Sequence, residues 1–364
     1  ARSMSEIDLA VPQRIHVVGV GGAGMRAIAS VLNAMGHRVS GSDMKASPGL
    51  DRLAAEGVEV SVGHDGSAIE GAQLVARSTA VPDANPEVRA AAESAIPVAS
   101  RAEILTAITE VRPTVSVAGT HGKTTTSSMR AVIMRDAGMD PSFIIGGEVN
   151  EIGSGAVWNE REDGWFVVEA DESDGTFLEL ASSAAIVTSV EPDHIGHYGS
   201  EDGLVAAFGR FVSGVDGPVV VCADDQGAAA RSSADHVVSF GQHEAADWRI
   251  VEYQSTRSGA AYTLVDPDGA SHRFTLATPG LHNVQNAVGA TVMALTLGAD
   301  IESAQRALAR FGGVARRFQV RGERDGVTFI DDYAHLPTEV EAAHEAAAAG
   351  EWDRIVCVFQ PHRY

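Results

Sequence analysis

The stretch TVSVAGTHGKTTTSS, residues 114–128, decides the fold. A short apolar run rich in valine ends at a glycine turn, and a lysine with several hydroxyl residues opens a helix-compatible segment straight afterwards. In that order the residues read as strand, phosphate-type loop and helix. Gly119 and Gly122 allow backbone N–H groups to surround phosphate oxygens, and the helix behind them turns its positive end toward the same point. Lys123 can reach the β- and γ-phosphates of a nucleoside triphosphate, and Thr124 can hold Mg²⁺. The loop is a GxxGKT variant, shorter than the usual GxxxxGK[ST], and its strand and helix context carries the reading.

Working upstream, RIHVVGV (14–20) is a second apolar run that enters a glycine turn, followed by Met25, Ile28, Ala29 and Leu32 at helical spacing. Gly19, Gly21 and Gly24 fit the GxGxxG dinucleotide fingerprint, and Asp43 falls at the end of the next strand, where an acidic residue can meet a ribose. Taken alone this suggests NAD, but the same turn serves any ligand whose diphosphate lies on a helix N-terminus. Two such turns in one chain, only one carrying a lysine, suggest ATP plus a second diphosphate-bearing substrate. The alternation continues through HRVSGSD, DRLAAEG, VEVSVG, residues 73–81 and a helix from Pro86, which predicts α/β layering on a parallel sheet. The first domain is expected over 1–106.

Downstream, WFVVEA, AAIVTSV, PVVVCAD and HVVSFG read as further strands, Trp248–Ala277 as a hairpin turning at Asp268-Gly269, and 282–297 and 301–311 as helices. A central domain over 107–313 follows. A third unit opens at 314, with strands expected at VTFIDDYAH and RIVCVFQ. Residues 314–364 are few for an independent domain, so the natural protein is expected to continue beyond Tyr364, with its last domain truncated here. Where WFVVEADESD loses its apolar character it supplies Glu169, Asp171, Glu172 and Asp174, carboxylates suited to Mg²⁺ directly or through water. Glu191-Pro192-Asp193-His194 brings an imidazole to the same sheet edge, as metal ligand, general base or plain loop residue.

With 27 Lys and Arg against 49 Asp and Glu, the formal charge of −22 disfavours nucleic acid and anionic membranes as partners. A 45% hydrophobic content excludes wholesale disorder, and no apolar run reaches the roughly 18 residues of a membrane span. Cys222 and Cys357, without further Cys or His at metal spacing, read as buried thiols of a reducing compartment, and a cytoplasmic location is expected. Only Lys45 and Lys123 are lysines, which leaves few amines for chemistry.

GVGGAGM (19–25), GSD (41–43), GTHGKTTT (119–126), EADESD (169–174), EPDH (191–194), GLHNVQNA (280–287), ARRF (315–318), DDYAHLPTEV (331–340) and FQPHRY (359–364) together resemble the Mur ligase family of peptidoglycan synthesis. The resemblance implies an α/β protein with a Rossmann-like N-terminal domain, a central P-loop ATPase domain and the start of a truncated Rossmann-like C-terminal domain. It implies a ligase that uses ATP and Mg²⁺, or Mn²⁺, to join L-alanine to the carboxylate of UDP-N-acetylmuramate through an acyl phosphate, acting as monomer or homodimer. Gly119, Thr120, His121, Gly122, Lys123, Thr124 and Thr125 then correspond to the ATP loop, with His282 and Asn283 near the adenine and Arg317 and Asp332 reaching ATP from the third domain. Thr124, Glu169 and His194 correspond to metal contacts, and Lys123, His194 and His335 to catalytic groups. Gly21, Gly22, Gly24, Met25, Ser42, Asp43 and Ser78 correspond to the UDP-sugar site, and Tyr333, His335, His362 and Arg363 to the amino-acid site.

Two departures bear on the reading. GLVAAFGRFV (203–212) lacks the lysine that later ligases of the pathway carbamylate, and Leu336 stands where a second histidine is expected after His335. The competing readings are a ligase that adds a tripeptide to the same UDP sugar, an NAD-dependent oxidoreductase, which leaves Lys123, Glu169 and His194 unexplained, and a silent nucleotide-binding regulator.

Overall fold

The computed structural model describes residues 7–161, 163–229 and 236–361. Its first unit runs β1 (Arg14–Val18), α1 (Ala23–Ala34), β2 (Arg38–Asp43), α2 (Pro48–Ala55), β3 (Glu59–Val62), β4 (Leu74–Arg77), α3 (Pro86–Glu93), β5 (Val98–Ser100) and α4 (Arg101–Glu110). The strands form one parallel sheet in the order β3-β2-β1-β4-β5, so the chain reverses its direction of winding between β1 and β4. Ligand crevices of open parallel sheets lie at that reversal, beyond the carboxyl ends of the strands. The glycine turn after β1 occupies it.

The middle unit contains β6 (Thr114–Ala118), α5 (Lys123–Asp136), β7 (Ser142–Val149), β8 (Ser154–Val157), β9 (Phe166–Ala170), β10 (Ala184–Val187), α6 (Ile195–Tyr198), α7 (Glu201–Ser213), β11 (Val219–Cys222), α8 (Gln226–Ala229) and β12 (Val237–Gly241). It ends with β13 (Trp248–Thr256), β14 (Gly259–Val265), β15 (Ser271–Leu276), α9 (Leu281–Thr296) and α10 (Ile301–Ala309). A single ten-stranded sheet, ordered β15-β14-β13-β12-β11-β10-β6-β9-β7-β8, places β6 between β10 and β9. Every residue of β6 is buried, as expected for a strand covered on both faces. The expected hairpin at Asp268-Gly269 joins β14 to β15, and β13 precedes it as a third antiparallel strand. β7 and β8 were not visible in the sequence, because glycines interrupt both.

The third unit comprises β16 (Gln319–Arg324), β17 (Val327–Asp331) and α11 (Pro337–Ala348). The expected strand RIVCVFQ is not formed: nothing ladders with it among the described residues, and Val356, Val358 and Phe359 stand exposed. A strand gains its stability from pairing and from a covered face, and this segment has neither. Cys357 is exposed with it, correcting the expectation of two buried thiols, whereas Cys222 is buried and burial pushes its thiol up to about 12.

The first two units share packing. Ile144 and Phe166 of β7 and β9 belong to the same apolar cluster as Ile15, Ile28 and Ile104, and α1 lies against β7 and β8. Helix starts divide by role. Ser47, Asn85 and the Ser100–Glu103 capping box close α2, α3 and α4, while α1 and α5 begin on Gly22 and Gly122 with no side-chain cap. Uncapped first-turn N–H groups remain available to a ligand.

Arg130 is the exception within α5. It is wholly buried, its guanidinium hydrogen-bonds to no group among the described residues, and burial pulls it down to about 9. An unpaired buried charge destabilises a fold, and an apolar side chain of similar length removes that cost. Arg130→Met is therefore expected to stabilise the protein by about 1–3 kcal/mol, read as a rise in midpoint of thermal unfolding. A lowered midpoint would show that the guanidinium contributes to stability.

Candidate active site

The carboxyl ends of β9, β6 and β10 converge on one point. The loop after β6 passes through Gly122, left-handed at φ 79°, and a Cβ there would meet Asn286 Oδ1 at 2.2 Å, so only glycine fits. Lys123 folds back over this loop. Its Nζ donates to the Gly119 carbonyl at 2.7 Å and pairs with Glu172 at 2.9 and 3.1 Å. Burial pushes the Glu172 carboxyl up, and the neighbouring ammonium partly offsets this. Glu172 thus serves the lysine, where the sequence pattern had grouped it with metal carboxylates.

Glu169, at the end of β9, accepts from the Thr124 hydroxyl at 3.1 Å and from the Gly146 N–H at 2.6 Å. Desolvation pushes its carboxyl up, which marks a group that would gain from a cation. The Thr124 and Glu169 oxygens are of the type hard cations take. Among the described residues no three His, Cys, Asp or Glu side chains gather into a metal-binding group, so water and phosphate oxygens would complete any coordination. His194 lies on the loop after β10, left-handed at φ 54°, with Nε2 3.2 Å from Asp193 Oδ2.

A cleft of about 310 Å³ opens beside the loop. It is lined by His121, Gly122 and Thr125 from the loop and α5, by His282 and Asn283 from α9, and by Arg317 and Asp332 from the third unit. The structure therefore brings together seven of the residues assigned to ATP, drawn from all along the chain. Desolvation pulls His282 down to about 4, so it is neutral at ordinary pH, and Asn283 donates to the Pro279 carbonyl at 2.7 Å. Asp332 accepts from the Phe318 and Ala334 N–H groups, both at 2.7 Å, which sets the backbone on either side of it. Thr120 clasps the loop after β10, accepting from the Glu191 N–H at 2.9 Å.

Sequence reasoning gave no role to Glu191, Thr338 or Glu339, yet these join the units. His121 lies between the two glutamates, with Nε2 3.2 Å from Glu191 and Nδ1 3.3 Å from Glu339, and Thr338 donates to Glu191 at 2.7 Å. Glu339 also accepts from the His335 N–H at 2.9 Å, pairs with His335 Nδ1 at 3.1 Å and lies 3.7 Å from Arg317. The only available hint was the spacing of His335 and Glu339 across the start of a helix. Tyr333 is 40% exposed, with the Arg316 guanidinium over its ring at 4.7 Å. His362 and Arg363 lie outside the described residues.

In the first unit the Gly19 N–H donates to the Ser42 carbonyl and the Gly21 N–H to Asp43 Oδ2, both at 2.9 Å. A Cβ on Gly21 would lie 2.7 Å from that carboxylate oxygen. Gly22 opens α1, Gly24 faces Arg101, and Ser78 sits beside Gly19. Met25 is buried in the core, and the Ser42 hydroxyl points inward to Glu87 at 2.5 Å, away from the turn.

Fold and site together define a phosphate-loop α/β protein whose first unit carries a second glycine-turn crevice. Comparison with known proteins agrees. Residues 14–112 match the Mur ligase family catalytic domain, 117–294 the Mur ligase middle domain, and 316–363 the Mur ligase glutamate ligase domain. A UDP-N-acetylmuramate–L-alanine ligase of Kineococcus radiotolerans is 47% identical over 96% of this chain and 76% of its own length. The crystal structure of the UDP-N-acetylmuramate-alanine ligase MurC from Thermotoga maritima superposes with a TM-score of 0.80 at 28% identity, covering 93% of this chain and 78% of that one. A murein peptide ligase from Psychrobacter arcticus gives 0.77 at 26%, covering 94% and 77%. The chain belongs to the Mur ligase family.

The His121 pairing carries a pH dependence. Burial opposes its protonation, but Glu339 and Glu191 outweigh this and raise it above the ordinary histidine value, while hydrogen bonds overcome burial at Glu339 and hold it down at about 2. The contribution is complete below about pH 6.5 and is lost as pH rises through the elevated folded value. Glu339 stays ionised throughout that range. Amide exchange in α11, corrected for its intrinsic pH dependence, should accelerate on that rise, and His121→Gln should flatten the response; an unchanged response would remove His121 as its source.

Proposed function

We infer that this chain is an ATP-dependent ligase that joins L-alanine to the carboxylate of UDP-N-acetylmuramate, a step of peptidoglycan precursor synthesis. The observation that carries this is the match of 96% of this chain, at 47% identity, to a relative of that name. The cleft between phosphate loop and third unit supports it. The working domains are 1–106 for the UDP sugar, 107–313 for ATP and 314–364 for the start of the ligase domain. With a charge of −22 and no helix among the described residues long and apolar enough to cross a membrane, we place it in the cytoplasm, with small molecules as its partners.

The reaction sets two physical demands. A muramyl carboxylate must approach the γ-phosphate of ATP, which brings like charges together. Lys123, oriented by Glu172, and the first-turn N–H groups of α5 lower that repulsion at the loop, with Arg317 entering from the opposite wall. Mg²⁺, or Mn²⁺, bound through Thr124 and Glu169, with His194 at the same sheet edge, would supply further neutralisation of phosphate charge. Next, the alanine amine must displace phosphate from the acyl phosphate with its lone pair free. His335 is our choice of base, its ring held beside the loop by Glu339 and the Tyr333 carbonyl, each 3.1 Å from Nδ1. Gly21, Gly22, Gly24 and Asp43, with Ser78 beside them, form our candidate UDP crevice, and Tyr333, His335, His362 and Arg363 our candidate alanine site.

The structural likeness to a murein peptide ligase keeps the tripeptide as a second amine substrate to be tested. Phosphate release by the whole natural protein from ATP, Mg²⁺ and UDP-N-acetylmuramate is expected with L-alanine and not with tripeptide. Release with tripeptide alone would select the second reading, and release with neither would overturn both. Lys123→Ala should lower the alanine-dependent rate at least about 100-fold.

A further inference from the structure

Behind the glycine turn of the first unit lies a polar cluster that the proposed reaction does not use. Glu87, second residue of α3, is completely buried. Its Oε2 accepts from the Ser42 hydroxyl at 2.5 Å and lies 3.2 Å from His64 Nδ1 and 3.4 Å from His16 Nε2, while Oε1 accepts from the Asp65 N–H at 3.2 Å. His16 passes the chain on to Ser40, 2.9 Å from its Nδ1. One carboxylate thus ties together β1, β2, the loop after β3 and α3, at the sheet edge where the crevice opens.

A buried carboxylate is costly unless its oxygens are satisfied. Here both oxygens have donors, and the N-terminus of α3 adds a favourable dipole. Burial works against the charge, but the hydrogen bonds from His16 and Ser42 prevail and hold the carboxyl below its usual range. Ser42 links this cluster to the ligand turn: its carbonyl accepts from the Gly19 and Val20 N–H groups at 2.9 and 3.1 Å, and its neighbour Asp43 holds the Gly21 N–H.

We propose that Glu87 is the positioning residue of the diphosphate crevice: it fixes Ser42, and through the Ser42 carbonyl and the adjoining Asp43, which hold the Gly19, Val20 and Gly21 N–H groups, it sets the turn and so the aim of the uncapped first-turn N–H groups of α1 toward a uridine diphosphate. This rests on the reading of that crevice as the UDP-sugar site. A carboxylate accepts at both oxygens; a glutamine with its carbonyl on the Asp65 N–H turns its NH₂ to Ser42, so the hydroxyl must accept where it now donates and loses its present orientation. Misaiming backbone donors by a fraction of an ångström weakens binding without unfolding the sheet.

The test is calorimetric titration of the chain with UDP and, separately, with a non-hydrolysable ATP analogue. Glu87→Gln should weaken UDP about tenfold and leave the ATP analogue unchanged. Ser42→Ala, which keeps the carbonyl but cuts the tie to Glu87, should do the same and serves alone if Glu87→Gln does not fold. The double variant should be no weaker than Glu87→Gln, because both changes break one path. UDP affinity within about twofold of wild type in the single variants, or equal loss for both nucleotides, overturns the positioning role. A wild-type chain that binds the ATP analogue but no UDP overturns the crevice reading, and this inference with it.

Discussion

The ion pair between Lys123 and Glu172 is the constraint around which the site is arranged. The protein carries a large excess of negative charge, so a bound triphosphate meets an unfavourable long-range field and needs a cation held at short range. Lysine alone would sample many rotamers. The Glu172 pairing and the bond to the Gly119 carbonyl confine it to the loop, at the cost of burying a carboxylate beside it. Glu172 in turn depends on where β9 ends, Thr124 on where α5 begins, and the separation of the two on β6 and β9 being paired neighbours.

The third unit completes this arrangement from outside. α11 is held at both ends: Glu339 and Thr338 engage His121 and Glu191 at its start, and Arg257 of the β13–β14 turn donates to the Gly350 carbonyl at 3.1 Å and stacks on Trp352 at 3.7 Å beyond its end. These are polar and stacking contacts with little shared apolar core, the sort of interface across which domains move. Glu339 contacts the loop, Arg317 and His335 together, so one side chain ties the phosphate loop to the proposed amine site.

Much of this was legible because the informative signals are local. An unbroken apolar run, a glycine turn and a helical spacing all fall within about 20 residues, and they announced β1–α1 and β6–α5 correctly. β7 and β8 escaped because paired glycines in IIGGEV and a small-residue SGAV erase the alternation that marks a strand. The roles of Glu191 and Glu339 were beyond reach for a different reason: Thr338 and Glu191 lie 147 positions apart, and only the folded chain shows that they meet. Residue type misled at Glu172. A carboxylate in an acidic run suits a metal, yet Glu172 is taken by Lys123; Ser42, placed at the UDP-sugar site by resemblance, turns its hydroxyl to Glu87.

The apolar cluster shared by the first two units has a geometric consequence. Ile144 and Phe166 cannot slide past Ile15 and Ile104 without exposing side chains whose burial is worth about 2 kcal/mol each. The two glycine turns are therefore mounted on one frame, like the jaws of a caliper locked at a single setting. Under the proposed function, a sugar nucleotide held at the first turn must bring its carboxylate across that gap to the triphosphate at the second, and its length is gauged before any chemistry begins.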